Sequence, residues 1–283
     1  MRLVGLGSIA LVCGCGLVSG LDNLEVRDGS AFDASSDQPQ ASDVVVLPDI
    51  QTPPLEAGSG GYALHTTGGC ASGPNISLSD LAFTVTLWLR VDAASSDNLP
   101  VVWNGGRGPS EQGWSLDLTM QGLTFCVSDQ NGFTCTPGYA IPAGHLVHIG
   151  LLSPYNQQTS GRTLTMCAMD STAGATTHTQ VSTVSGAQGN WTSSASLTIG
   201  GALVGSSCNA TSMVTVDRLH IQTSVLQVSA LDTAAKGNAC TQAAYDFEFD
   251  EGTGTHTSDC VTKNLVLGWP DGSKVGFVIS PFP

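Results

Sequence analysis

The densest set of chemistry-bearing side chains in the sequence is Asp246-Phe-Glu248-Phe-Asp250-Glu251. On an extended backbone successive side chains point to opposite sides, so Asp246, Glu248 and Asp250 share one strand face. Such a row can flank a glycosidic bond, one carboxyl protonating the leaving oxygen while the other acts as nucleophile or base. Glu248 and Asp250 are the pair for that reading. The row can instead hold calcium, with Asp250, Glu251 and Asp259 as ligands, although calcium takes six or more oxygens and their convergence is not a property of sequence. Hydrolysis fits poorly, because Glu251 follows Asp250 directly and no Trp stands nearby in the chain to carry a sugar. The expectation is a solvated acidic strand or a calcium site, with no catalytic residue assigned.

Trp88 is the next candidate. In the segment AFTVTLWLRV (82–91), Phe83, Val85, Leu87, Leu89 and Val91 face one way, while Thr84, Thr86, Trp88 and Arg90 face the other. A sugar could stack on Trp88 beside Arg90; the competing expectation is that other chain covers this face, since large aromatics are mostly buried. His145 and His148, three apart on a strand, point to opposite faces and do not make a shared metal site. No G-x-S-x-G nucleophile motif and no phosphate-binding glycine loop is present. Cys126 and Cys135 flank Val-Ser-Asp-Gln-Asn-Gly-Phe-Thr, a hairpin with Asn131-Gly132 near its tip, and are expected to be bonded across its arms. Cys240 with Cys260 is a second expected disulfide, bracketing the acidic strand. Asn75, Asn190 and Asn209 head N-x-S/T sequons, which are expected to be coincidence.

The first fifteen residues, MRLVGLGSIALVCGC, carry the address. Arg2 precedes an apolar run, Leu3 to Val12, that is too short to span a bilayer, and a small residue then stands before a cysteine. This is a secretion signal, and Val12-Cys13-Gly14-Cys15 resembles a bacterial lipobox. The resemblance implies cleavage after residue 14 and lipidation of Cys15; an ordinary secretory signal cut nearby is the alternative. Residues 15–59 come next as a linker. From 16 to 59 it carries eight acidic residues (Asp22, Glu25, Asp28, Asp33, Asp37, Asp43, Asp49 and Glu56) against Arg27 alone, with Ser, Pro and Gln filling much of the rest. It is expected to be disordered and to hold the C-terminal domain about 40 Å from the lipid. Its start, Gly16-Leu-Val-Ser-Gly-Leu-Asp22, resembles the post-lipobox segment of myxobacterial lipoproteins and implies the outer membrane of a Gram-negative cell envelope.

Composition narrows the rest. The chain of 283 residues is 41% hydrophobic and 11% charged, with a net charge of −14. That charge excludes nucleic acid as a partner, which needs clustered Lys and Arg. Nine cysteines suit an oxidising compartment. Spending Cys13 and Cys15 at the signal leaves seven, so at least one thiol stays free or pairs with another chain; cleavage before Cys13 would leave eight. No C-x-x-C pair marks a zinc knuckle. The elements that must position the candidates read as strands throughout. Trp114, Leu116 and Leu118 alternate with Ser115, Asp117 and Thr119, and Leu123, Phe125 and Val127 come after a Gln121-Gly122 turn. Segments 145–152, 162–169, 196–201 and 214–221 continue the pattern, and one helical turn or two is expected at Ser229-Ala-Leu-Asp232, with Ser229 as cap. Many short strands between turn signals predict an all-β sandwich of two antiparallel sheets, a jelly roll, over residues 60–283.

Four segments carry a family resemblance. They are FTVTLWLRV, Ile141-Pro-Ala-Gly-His-Leu-Val-His148-Ile-Gly-Leu-Leu, Arg162-Thr-Leu-Thr-Met-Cys-Ala-Met-Asp170, and Val216-Asp217-Arg218-Leu-His-Ile221 with Ser229-Ala-Leu-Asp232. In this order they resemble a laminin-G-like domain of the concanavalin A-like lectin and glucanase superfamily. The match departs at Leu146, Cys167 and Ser171. The stretch YDFEFDEGTGTHTSD (245–259) resembles a signature found before this jelly roll, yet here it lies after it. It either completes the same sheet or begins a truncated second unit. The resemblance implies a non-catalytic binding module that recognises a glycan or a surface protein, anchored to the membrane by lipid. A divergent glucanase using Glu248 and Asp250, and a structural envelope or adhesion subunit, are the alternatives.

Overall fold

The computed structural model describes residues 61–283, apart from 77, 79–81, 94–97, 106–111, 130–131, 160, 189–194, 205–206, 210, 237–243, 250–251, 253–255, 262–265, 270 and 271–273. The signal, Cys15, the acidic linker, Asn131, Asn190, Cys240, Asp250 and Glu251 therefore lie outside the described residues. In chain order the strands are β1 (Tyr62–Thr67), β2 (Ala71–Ser72), β3 (Phe83–Val91), β4 (Leu99–Asn104), β5 (Gly113–Thr119), β6 (Gly122–Asp129) and β7 (Gly132–Cys135). Next come β8 (Leu146–Ser153), β9 (Tyr155–Asn156), β10 (Gly161–Asp170), β11 (Thr179–Gln188), β12 (Thr198–Ile199), β13 (Ala202–Val204) and β14 (Ser207–Asn209). After β15 (Met213–Gln222) come the helix α1 (Val228–Ala234), β16 (Tyr245–Phe247), β17 (His256–Ser258), β18 (Val266–Gly268) and β19 (Val275–Ile279).

Two large antiparallel sheets face each other, as expected of a jelly-roll sandwich. The first runs β11-β10-β8-β3-β15-β1-β19, with β16 beside β15 and β9 beside β10; the second runs β17-β18-β2-β12-β4-β5-β6-β7. Strands distant in sequence are neighbours, which is why the pairing was not legible from the sequence even where the strands were. The core lies between the sheets. Phe83, Val85, Leu87 and Leu89 of β3 meet Trp114, Leu116, Phe125 and Val127 from the second sheet, with the Phe83 ring 6.1 Å from Trp114 and 6.2 Å from Phe125. Period-two alternation produces this directly, because one face of each strand leaves water.

The C-terminal stretch completes the sandwich. β16 pairs with β15, β19 with β1, and β17 and β18 extend the second sheet. Cys70 and Cys208, 138 residues apart, form a disulfide that sequence spacing gave no reason to expect. Cys260 is also disulfide-bonded, while Cys240, its expected partner, lies outside the described residues. Cys167 is a buried free thiol. The helix differs from expectation at its start: its N-cap is Gln227, extended and without a side-chain cap bond. Ser229 sits inside the first turn, and the Asp232 carboxylate bonds His178 instead of the helix start.

Candidate functional site

The β5–β6–β7 end of the second sheet has a polar outward-pointing side, on which Ser115, Asp117, Thr124, Cys126 and Ser128 are themselves buried. Register sets Asp117 opposite Thr124, Ser115 opposite Cys126 and then Cys135, and Ser128 opposite Phe133. Their strand neighbours Trp114, Leu116, Phe125 and Val127 point into the core. Cys126 and Cys135 are disulfide-bonded across the hairpin, as its spacing predicts, which fixes the arm that carries Phe133. A depression of about 320 Å³ opens here, lined by Asn98, Asp117, Met120, Gln121, Thr124 and Phe133, among others.

The walls and floor of this cleft differ in character. Phe133 is 48% exposed and Met120 80%, so large apolar surface is left at the rim. Asp117 lies in the floor and is nearly buried; its Oδ2 accepts a hydrogen bond from Ser115 Oγ at 3.1 Å. The lip bearing Met120 and Gln121 is a tight turn, with Thr119 Oγ1 donating to the Gly122 carbonyl at 2.9 Å and accepting from the Gln121 N–H at 3.1 Å. Gly122 is required there: its φ is +103°, and a Cβ would stand 2.0 Å from the Tyr139 carbonyl oxygen. An aromatic wall beside a carboxylate, amides and hydroxyls can take the apolar face of a small polar ring while bonding its hydroxyls. Phe133 was missed in the sequence. The available signal was its position two residues before Cys135, on the same face of the hairpin arm as the disulfide.

On the outer face of the first sheet the covered alternative holds for Trp88, which lines a depression of about 280 Å³ with Met169, Ala175 and Lys236. Trp88 is 1% exposed. Its Nε1 donates to the Ala235 carbonyl at 3.1 Å, and its ring lies 5.5 Å from Phe282. The end of α1 and the last residues of the chain thus cover it, and only tertiary packing supplies them. Arg90, two residues along, forms an ion pair with Asp92 at 2.6 Å and donates to Thr215 Oγ1 at 3.2 Å. Asp217, opposite Trp88, is a hydrogen-bonding residue, its Oδ2 accepting from Ser280 Oγ at 2.8 Å.

Two histidines missed as a pair lie under the same cover. His148 Nδ1 is 2.7 Å from His178 Nε2, and His178 Nδ1 is 2.6 Å from Asp232 Oδ1. With the His178 Nδ1–H donating to the carboxylate, its Nε2 accepts from the His148 Nδ1–H, an arrangement that makes His178 the neutral ring. Burial, then the neighbouring His178, His220 and Arg218, hold His148 well below the usual histidine range. His145 lies outside β8 and pairs with Asp170 at 2.7 Å.

The acidic row is also buried rather than solvated. Asp246 is fully enclosed, and Glu248 keeps only 15% of its side chain exposed. His220 of β15 lies directly across from Asp246, with Nε2 3.1 Å from Asp246 Oδ1 and 3.4 Å from Glu248 Oε1. Burial, then the Glu248 and Asp259 carboxylates, push the Asp246 carboxyl up to about 8. Asp259, named for calcium, is buried and accepts the Asp246 N–H at 2.7 Å and the Val261 N–H at 3.3 Å through Oδ1. Asp250, the second carboxylate of the hydrolase reading, and Glu251 lie outside the described residues. The oxygens of Asp246 have no access to solvent, so they cannot meet a substrate. Phe249, between Glu248 and Asp250, holds a left-handed φ of +59°.

No protein-family model matches the chain, and no curated protein matches it. Solved structures do. A Bacteroides ovatus protein provisionally described as carbohydrate-binding superposes with a TM-score of 0.54 at 12% identity, over 77% of this chain. The chain spans 59% of that protein's length. At this identity the likeness establishes the fold. A heptameric pentraxin from Limulus polyphemus (TM-score 0.43, 11% identity, 74% of this chain and 94% of that one) is more distant. So is the carbohydrate-binding module of a Ruminococcus gnavus sialidase, bound to sialyllactose (0.43, 12%, 61% and 96%).

Proposed function

We propose that this chain is a non-catalytic glycan-binding module, exported and held at the cell envelope through a lipid on Cys15. The observation that carries glycan binding is the cleft on the second sheet, where exposed Phe133 and Met120 stand over Asp117, Asn98, Gln121 and Thr124. Its volume suits a small polar ligand. Its lining among the described residues, one carboxylate with amides and hydroxyls, suits a neutral or amino sugar better than an anion. The fold shared with the Bacteroides protein supports the same reading. The anchor rests on the lipobox and the acidic linker.

A glycan array followed by calorimetry tests the cleft. Phe133→Ala is expected to weaken binding by roughly tenfold, the loss of an aromatic face from a ring contact, with the melting temperature unchanged. Binding that survives both Phe133→Ala and Asp117→Asn would place the sugar elsewhere. Release of reducing sugar, lost in Glu248→Gln, would instead establish the hydrolase. Palmitate labelling abolished by Cys15→Ala, and partition of the wild type with outer membranes, test the anchor.

A further inference from the structure

Glycan binding leaves the buried cluster of His220, Asp246 and Glu248 without a role. We propose that these three side chains form a binding site for a divalent first-row metal ion of the zinc class, joining the C-terminal strand β16 to β15 of the first sheet. Three observations support it. The first is orientation: His220 is 1% exposed, and neither of its ring nitrogens has a hydrogen-bond partner. Yet Nε2 stands 3.1 Å from Asp246 Oδ1 and 3.4 Å from Glu248 Oε1. The ring is aimed between the two carboxylates without donating to either.

The second is spacing. Donor atoms about 2.1 Å from an ion stand about 3.4 Å apart at the tetrahedral angle and about 3.0 Å apart at a right angle. The two measured separations fall in that interval, and the ligand atoms of all three residues lie within 4.8 Å of one another. The third is charge. Two carboxylates and a neutral imidazole cancel a dication, which settles two acids that are costly to hold together away from water. An imidazole donor selects against calcium and magnesium, whose sites are built from oxygen.

Outer contacts fix the ligands in place. The Asp246 N–H donates to Asp259 Oδ1 at 2.7 Å, and its carbonyl accepts from the N–H of disulfide-bonded Cys260 at 2.8 Å. Asp259 thus orients a ligand rather than binding the ion. The site is enclosed, so the metal's effect is on folding.

The full chain, produced without a histidine tag and stripped with a chelator, is titrated with zinc and separately with calcium. One zinc per chain is expected, and at a hundredfold excess over its Kd the melting temperature rises by roughly 5–10 °C. Cobalt(II) should show the visible absorption of a low-coordinate site. Asp246→Asn removes a charge from the crowded cluster; it should raise the metal-free melting temperature while abolishing the zinc-induced rise. Glu248→Gln, at the partly exposed ligand, should fold and bind zinc at least about tenfold more weakly. A zinc response retained in both variants overturns the assignment. So does a wild type that responds to calcium alone or to neither ion; Asp246→Asn stabilisation would then mark the cluster as two acids sharing a proton.

Discussion

The thiol of Cys167 clusters with Leu152 of β8 and Leu231 of α1, and burial pushes it up to about 11. At neutral pH almost none of it is thiolate, the reactive form. An aromatic disulfide reagent should therefore leave Cys167 unmodified in the native protein and react with it once the chain is denatured; rapid native labelling would contradict its burial. His148 sets a pH dependence of the opposite kind from a salt bridge. Its folded pKa lies well below the unfolded 6.5, with burial as the first cause. Below pH 6.5 the unfolded chain binds a proton that the folded one refuses. Stability from this residue is thus complete above about pH 6.5 and declines as pH falls from there toward the folded pKa. Asp246, raised to about 8, acts with the opposite sign in this window, so the test is a difference: between about pH 7.5 and about pH 5.5, urea titrations of His148→Gln should gain stability relative to the wild type. The sequence placed His148 on a strand. That His178, thirty residues on, would meet it was not legible there, because the two are joined only through the fold.

The helix α1 is where the sequence placed it, but its cap and its contacts differ. Seven residues with no side-chain cap cannot hold a helix alone in water. Its stability comes from Leu231, fully buried on the outer face of the first sheet. A Cβ built on Gly150 would stand 2.6 Å from Leu231 Cδ1, so β8 needs a glycine where the helix crosses it. Leu231→Ala should cost about 2–4 kcal/mol in a denaturant titration, as large core truncations do. It should also raise the exposure of Trp88, which fluorescence quenching by acrylamide would report. The Ser-to-Asp spacing that marked the helix was a true local signal. The roles assigned to it differ, and the Asp232 carboxylate bonds the buried His178 instead.

At the scale of the whole molecule, the chain from Tyr245 onward decides whether there is a sandwich at all. Phe247, Phe249, Leu267, Trp269 and Val275 belong to the main core, and their strands extend both sheets. A chain ended after Lys236 should lack a cooperative thermal transition and collect in the insoluble fraction, which expression followed by calorimetry would show. A soluble, cooperatively melting truncation would make the extension an appendage instead.

The sequence by itself determined β3, β5, β6, β8, β10 and β15, the two faces of β3 and β5, and the hairpin disulfide, because alternation and turn residues are local properties; β1, β4 and β11 were not read from it. The fold alone decided which outward faces stay open. Trp88 and Asp246 look as accessible as Phe133 when only their own strands are read. Trp88 is covered by Ala235 and Phe282, and Asp246 is enclosed opposite His220. Phe133 remains exposed at a cleft. The covering residues stand far along the chain from the strands they cover, and no period or motif encodes those contacts.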